Sequence, residues 1–273
     1  MPRPVSALTL ARPRSLRAAL QVLRDDPALR PIAGCTDVYV GLHFGTESST
    51  RFLDLWGLEQ LRDIDVADGR LRLGALTTYT DLIRSALVGR RVPMLVAAAR
   101  EIGGAQIQHR GTIGGNIANA SPAGDTLPVL LAADARIILQ SASGERAVPF
   151  RAFQTGYRST VRRPDELIVA IEIPRIDGRQ WWRKVGTRRA QAIAKVTLAG
   201  VRGDAVEVAL GAVAPTAIRV PEAAGLLATT GSVPDAQAAL AREVAPIDDV
   251  RSTALYRRTV AVSLLARFWA DTA

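Results

Sequence analysis

Residues 111–128 read GTIGGNIANASPAGDTLP, and this stretch constrains the fold more than any other. Gly111, Gly114, Gly115 and Gly124 raise the entropic cost of regular structure, while Asn116, Asn119, Ser121 and Asp125 compete with the backbone for hydrogen bonds. The run therefore reads as a shaped loop, poor as helix and poor as strand. PIAGCTD at 31–37 has the same character. Glycine lets a backbone come close to a ligand, and successive exposed N–H groups form an anion-binding nest. Thr36, Thr112 and Asn116 add side-chain hydrogen bonds, so that two such loops can clamp a pyrophosphate. Neither G-x-G-x-x-G nor G-x-x-x-x-G-K-[ST] occurs, which leaves the usual nucleotide-binding folds unsupported.

Around these loops the chain mixes helix and strand. Leu16, Ala19, Leu20 and Leu23 fall at helical spacing behind a candidate N-cap, Ser15. A short strand through Ile32 and Ala33, a turn and a helix from Val38 follow. RFLDL is the next strand, and DIDVADGRLRLGA predicts a hairpin about Asp68-Gly69. Helices are expected near 78–85 and 93–102, then a helix and strand in TLPVLLAADARIILQ and a further strand in ELIVAIEIP. PRIDGRQ at 174–180 is the best boundary, dividing the chain into 1–176 and 177–273. The second part offers strands at WWRKV, KVTLAGV and AVEVALGAV, and helices near 221–227, 235–244 and 252–270.

Composition removes several classes. With 273 residues, 48% of them hydrophobic, the chain can bury a substantial core. Its net charge of +9 comes from dispersed arginines, with Lys184 and Lys195 the only lysines, and dispersal argues against nucleic acid. No apolar run is long enough to span a membrane, and the first residues lack a signal-peptide pattern, so a cytoplasmic protein is expected. Cys35 stands alone, which excludes an internal disulfide and any metal centre needing several cysteines. The histidines are His43 and His109. A redox centre held here would be organic.

AGCTD at 33–37, IQHRGTIGGNIANASPAGDTLPVLLAADARIIL at 107–139, ELIVAIEIP at 166–174 and RKVGTRRAQAIAKV at 183–196 resemble, in order, the FAD-binding subunit of molybdenum hydroxylases. That is the xanthine dehydrogenase and carbon monoxide dehydrogenase family. The ending ALYRRTVAVSLLARFWAD resembles its flavoprotein C-terminal domain. The resemblance implies an α+β chain: a vanillyl-alcohol-oxidase-type (PCMH-type) FAD-binding domain of two α/β subdomains, then a small α+β domain with a three-stranded sheet.

It also implies FAD as cofactor. The first loop (Ile32, Ala33, Gly34, Cys35, Thr36, Asp37 and Val38) and the second (Thr112, Ile113, Gly114, Gly115, Asn116 and Asn119) would give backbone N–H groups to the pyrophosphate. Asp125 would lie near the ribose or adenine end, Ile168 beside flavin or adenine, Ile102 at the flavin ring, and Lys184 near the polar edge of the isoalloxazine. No residue need be catalytic and none need bind metal. Partners would be a [2Fe-2S] iron–sulfur subunit and a molybdopterin-binding large subunit, with NAD, O2 or another acceptor taking the electrons. Cys35 replaces the second glycine of the commoner AGGTD, and Gln108-His109 the commoner Arg-Asn.

Plainer readings of the same residues stay open. Cys35 reads as a small packed residue, Asp125 as a helix cap, Lys184 as a solvated strand lysine, and His109 as solvated or capping. Arg188 and Arg189 fit a solvated turn or a site for an anionic acceptor. A self-contained FAD oxidoreductase and a non-catalytic nucleotide-binding protein are the rival functions.

Overall fold

The computed structural model describes residues 5–188 and 191–273. Its first layer is a parallel sheet of three short strands, Thr9–Ala11, Arg51–Asp54 and Arg30–Ile32, with Arg51–Asp54 in the middle. The helix Leu16–Asp25 covers it, capped by Ser15 and burying Ala19, Leu20 and Leu23 as the periodicity predicts.

The second layer is an antiparallel sheet in the order Ile64–Ala67, Arg70–Gly74, Leu167–Ile173, Arg136–Ser141, Gly144–Pro149. The expected hairpin turns at Asp68 and Gly69, whose φ of 51° and 75° suit the tight two-residue turn. Every residue of the central strand Leu167–Ile173 is buried, because this sheet is covered on both sides. Helices from Tyr79 to Ala132 pack one face of it around Leu71, Leu73, Ile137 and Ile171. Val169 and Leu167 turn to the other face and join the first layer's core with Leu20, Leu53 and Leu76.

The third unit is an antiparallel sheet of Arg179–Val185, Val196–Arg202, Val206–Gly211 and Ile218–Arg219. Three long strands match the expected three-stranded sheet, and the two-residue edge strand Ile218–Arg219 makes it four. Alternation sorts its side chains: Leu198, Val208 and Leu210 face the helices Pro221–Thr229, Val233–Glu243 and Ala254–Asp271, while Ala199, Val201 and Ala209 join the core of the second layer. A Cβ on Gly200 would lie 2.5 Å from the Phe268 ring, so only glycine lets that helix seat.

The run at 111–128 departs from expectation. Residues Ile113–Asn119 form a seven-residue helix, with Thr112 Oγ1 accepting from Gly115 N and Ala120 closing it at φ 48°. Burial of Ile113 and Ile117 one turn apart outweighs the poor propensity of paired glycines, which costs about 1 kcal/mol each.

Candidate functional site

A cleft of about 620 Å³ opens between the first and second layers. Its floor and rim include both segments singled out above: Ile32, Ala33, Gly34, Cys35, Thr36, Asp37 and Val38 on one side, Thr112, Gly114, Gly115, Asn116 and Asn119 on the other, with Ile102 and Ile168 between. The two segments touch. A Cβ on Gly34 would fall 1.6 Å from the carbonyl oxygen of Arg110, so no other residue fits without parting them.

Their backbones behave differently. Among the described residues, the successive N–H groups of Gly34, Cys35, Thr36 and Asp37 find no acceptor, which is the arrangement of an anion nest. In the second segment Ile113 N donates to Thr77 O, Gly114 N to Ala75 O, Asn116 N to Thr112 O, and Gly115 N to the Thr112 hydroxyl. Its N–H groups are thus engaged within the protein, contrary to the expectation that both loops offer them. The second segment is a wall, made close by Gly115, which faces the cleft, and held by Thr126 Oγ1 donating to Asn116 Oδ1 at 2.5 Å.

Cys35 sits at φ 62°, which explains why glycine suits that position. Its thiol donates to Ala33 O, and burial foremost, then the Asp54 carboxylate, push it above its ordinary pKa. The packed reading fits; a thiolate does not.

Three of the expected residues do not line the cleft: Ile113, whose side chain is wholly in the core, Asp125 and Lys184. Lys184 is no solvated lysine. Its side chain is 4% exposed, and its ammonium donates to Asp125 Oδ2 at 2.7 Å and to Glu101 O at 3.2 Å. Asp125 does not cap the helix Leu127–Ala132; Thr126 occupies that position, without a side-chain cap bond. The pair also corrects the placement of Asp125 and Lys184 toward opposite ends of an extended cofactor, since they are in contact. The carbonyl that Lys184 also reaches is that of Glu101, the residue before Ile102. Burial pushes the Asp125 carboxyl up, to about 6, against the pull of Lys184, and among the described residues Asp125 Oδ1 has no partner. Burial, reinforced by Asp125, also raises the Tyr79 phenol.

Sequence reasoning missed Tyr79, Ile107, Arg162 and Glu166, all on the cleft. Glu166 is bound through both oxygens by Arg146 and accepts from Arg163 N at 2.7 Å. Arg162 Nη1 donates to Arg163 O and Glu166 O. The ELIVAIEIP strand was visible, and its first residue was the available signal. His109 lies at the surface with Nδ1 3.0 Å from Thr80 Oγ1, and Arg188 donates to Gln191 O within its turn. Arg189 lies outside the described residues.

The chemistry of this cleft suits an anionic dinucleotide: a nest for phosphate, a glycine-lined wall for close approach, and aliphatic ends. Comparisons agree. Residues 6–176 match the family described as the FAD binding domain in molybdopterin dehydrogenase, and residues 182–272 the CO dehydrogenase flavoprotein C-terminal domain. The chain is 34% identical over 272 residues to the glyceraldehyde dehydrogenase medium chain of Sulfolobus acidocaldarius, covering 96% of this chain and 97% of that one. It is 38% identical over 164 residues to the xanthine dehydrogenase FAD-binding subunit of Escherichia coli O157:H7, covering 60% and 56%. Its fold superposes on a chain of carbon monoxide dehydrogenase from Hydrogenophaga pseudoflava with a TM-score of 0.92 at 27% identity, covering all of both chains. The PCMH-type fold, the family models that match and these relatives together place the chain in the family of FAD-binding subunits of the molybdenum hydroxylases, as an oxidoreductase subunit.

Proposed function

We propose that this chain is the electron-relay subunit of a molybdenum hydroxylase, taking electrons from a [2Fe-2S] partner and passing them to NAD or another acceptor. The observation that carries the reading is the row of unpaired N–H groups at 34–37 opposite the glycine wall at 114–115. FAD, when bound, supplies the redox chemistry, accepting electrons singly or in pairs. The protein binds, orients and excludes water.

In this reading the nest holds the pyrophosphate and Gly115 admits it closely. Ile102 and Tyr79 line the flavin end, where the Asp125–Lys184 pair sets the local field from just behind the wall. Substrate hydroxylation falls, in this reading, to a molybdopterin-binding large subunit. Among the described residues no helix is long and apolar enough to cross a membrane, which is compatible with a cytoplasmic complex. The division at 176/177 fits the change from the cleft-bearing layers to the last sheet.

The purified chain should show flavin absorption bands, and tagged chain isolated from its native cell should bring down an iron–sulfur protein and a large molybdenum protein. A colourless chain indifferent to added FAD overturns the reading. A yellow chain without such partners overturns the relay role alone.

A further inference from the structure

Both sides of the cleft are bridged by one side chain that lies outside its lining. The hairpin Gln154–Gly156 and Ser159–Thr160 turns at Tyr157 and Arg158, with Arg158 held at φ 51°. The base of this hairpin is fixed. Phe150 and Phe153 stack at 6.1 Å in the core, Phe153 O accepts from Val161 N, and Arg146 Nη2 donates to Val161 O at 2.9 Å. The tip is exposed, with Tyr157 68% accessible.

From that tip Arg158 Nη1 donates to Asn119 Oδ1 at 2.9 Å and lies 3.9 Å from Asp37 Oδ2. Asn119 ends the helix of the second segment, and Asp37 ends the nest of the first. Among the described residues, Nε and Nη2 of Arg158 have no partner. The Asp37 contact joins half-exposed groups at the distance limit of an ion pair, and so holds the guanidinium weakly. A guanidinium offers a planar fork of donors that matches phosphate oxygens two at a time. The nest beside it supplies N–H dipoles but no full charge, whereas a pyrophosphate brings about two negative charges.

We propose that Arg158 is a cationic clasp for the cofactor's pyrophosphate, swinging from Asp37 to the phosphates when the dinucleotide enters while the hairpin base stays in place. The clasp rests on the reading of this cleft as the dinucleotide site, and its test separates the two.

Cofactor-stripped full-length chain is titrated with FAD, ADP and riboflavin, comparing wild type with Arg158→Met, Arg158→Gln and Gly34→Ala. ADP carries the pyrophosphate without the flavin, and riboflavin the flavin without phosphate. Arg158→Met is expected to weaken FAD and ADP about 10- to 100-fold and riboflavin less than about twofold. Should that variant fail to fold, Arg158→Gln, which keeps an amide donor for Asn119, decides on the same readings. Unchanged FAD and ADP affinity in a folded Arg158 variant overturns the clasp, as does a loss shared equally by riboflavin. Gly34→Ala binding all three ligands like wild type overturns the cleft reading itself.

Discussion

The two glycine segments look alike as sequence and do opposite things as structure. In 33–37 the glycine serves contact: Gly34 lies against the Arg110 carbonyl, and the N–H groups around it stay unpaired. In 112–119 the glycines serve packing and approach: Gly114 lies against the Ala75 backbone, Gly115 faces the cleft, and the N–H groups are taken by Thr77, Ala75 and Thr112. A glycine-rich run therefore signals close approach, and only the hydrogen-bond account of each N–H tells whether the approaching group is ligand or protein.

The most damaging way to break this contrast is Gly34→Ala. Its Cβ must displace backbone at 1.6 Å, parting the nest from the wall, and bound flavin per folded chain should fall by more than about 100-fold. Flavin content by absorbance, beside a circular dichroism spectrum showing a retained fold, measures it.

Next in size is Lys184→Met, on the strand Arg179–Val185, whose ammonium pairs with Asp125 beyond the second segment. It strands a buried carboxylate whose Oδ1 is already unpartnered, and should cost about 3 to 5 kcal/mol at neutral pH in denaturant melts. The pH dependence has a definite sign. The folded Asp125 carboxyl sits near 6 against an ordinary 3.8, so the native state holds that proton more tightly. The stability it contributes is full below about pH 4 and is lost as pH rises through about 6, by at most about 3 kcal/mol. Asp125→Asn should flatten that limb of the curve. The cost of Lys184→Met should shrink toward pH 5, and a constant cost would show that the carboxylate is not what it strands.

How far such features could be read in advance depends on range. The hairpin at Asp68-Gly69, the helix behind Ser15 and the strand Leu167–Ile173 were legible because turn residues, caps and apolar patterns are local. Ile113–Asn119 was not legible as a helix, since tertiary burial of Ile113 and Ile117 decides it against propensity. Within the site, residues of the two glycine runs were found by their own composition. Tyr79 and Arg162 were not, because each reaches the cleft from a distant element and carries no local mark, and Glu166 was signalled only by its place at the head of a legible strand. The Asp125–Lys184 contact joins residues 59 apart in sequence, and pairing at that range has no pattern to read.

Smaller effects sharpen the contrast within the second segment. Gly114→Ala places a Cβ 2.6 Å from Ala75 O and should cost about 2 to 3 kcal/mol of stability. Gly115→Ala meets only Thr112 Oγ1, at 2.9 Å, and should cost about 1 kcal/mol through the cap while lowering FAD affinity about tenfold. Melting and flavin titration of the pair should thus rank the variants in opposite orders, and the same order in both assays would refute the division of labour. The least effect is expected of Cys35→Gly. Relief of φ 62° is opposed by glycine's added freedom when unfolded, so stability should move by less than about 1 kcal/mol and FAD affinity hardly at all. A large loss of flavin would give the Cys35 side chain a role that packing does not.

The most direct measurement is amide hydrogen exchange with and without saturating FAD, resolved at the two segments. The amides of residues 34–37, which have no acceptor among the described residues, should exchange rapidly without FAD and gain strong protection with it, while those of 113–116 should be protected in both states. Protection gained equally at both segments, or none gained at 34–37, would contradict the assignment of the phosphate nest to the first segment and the wall to the second.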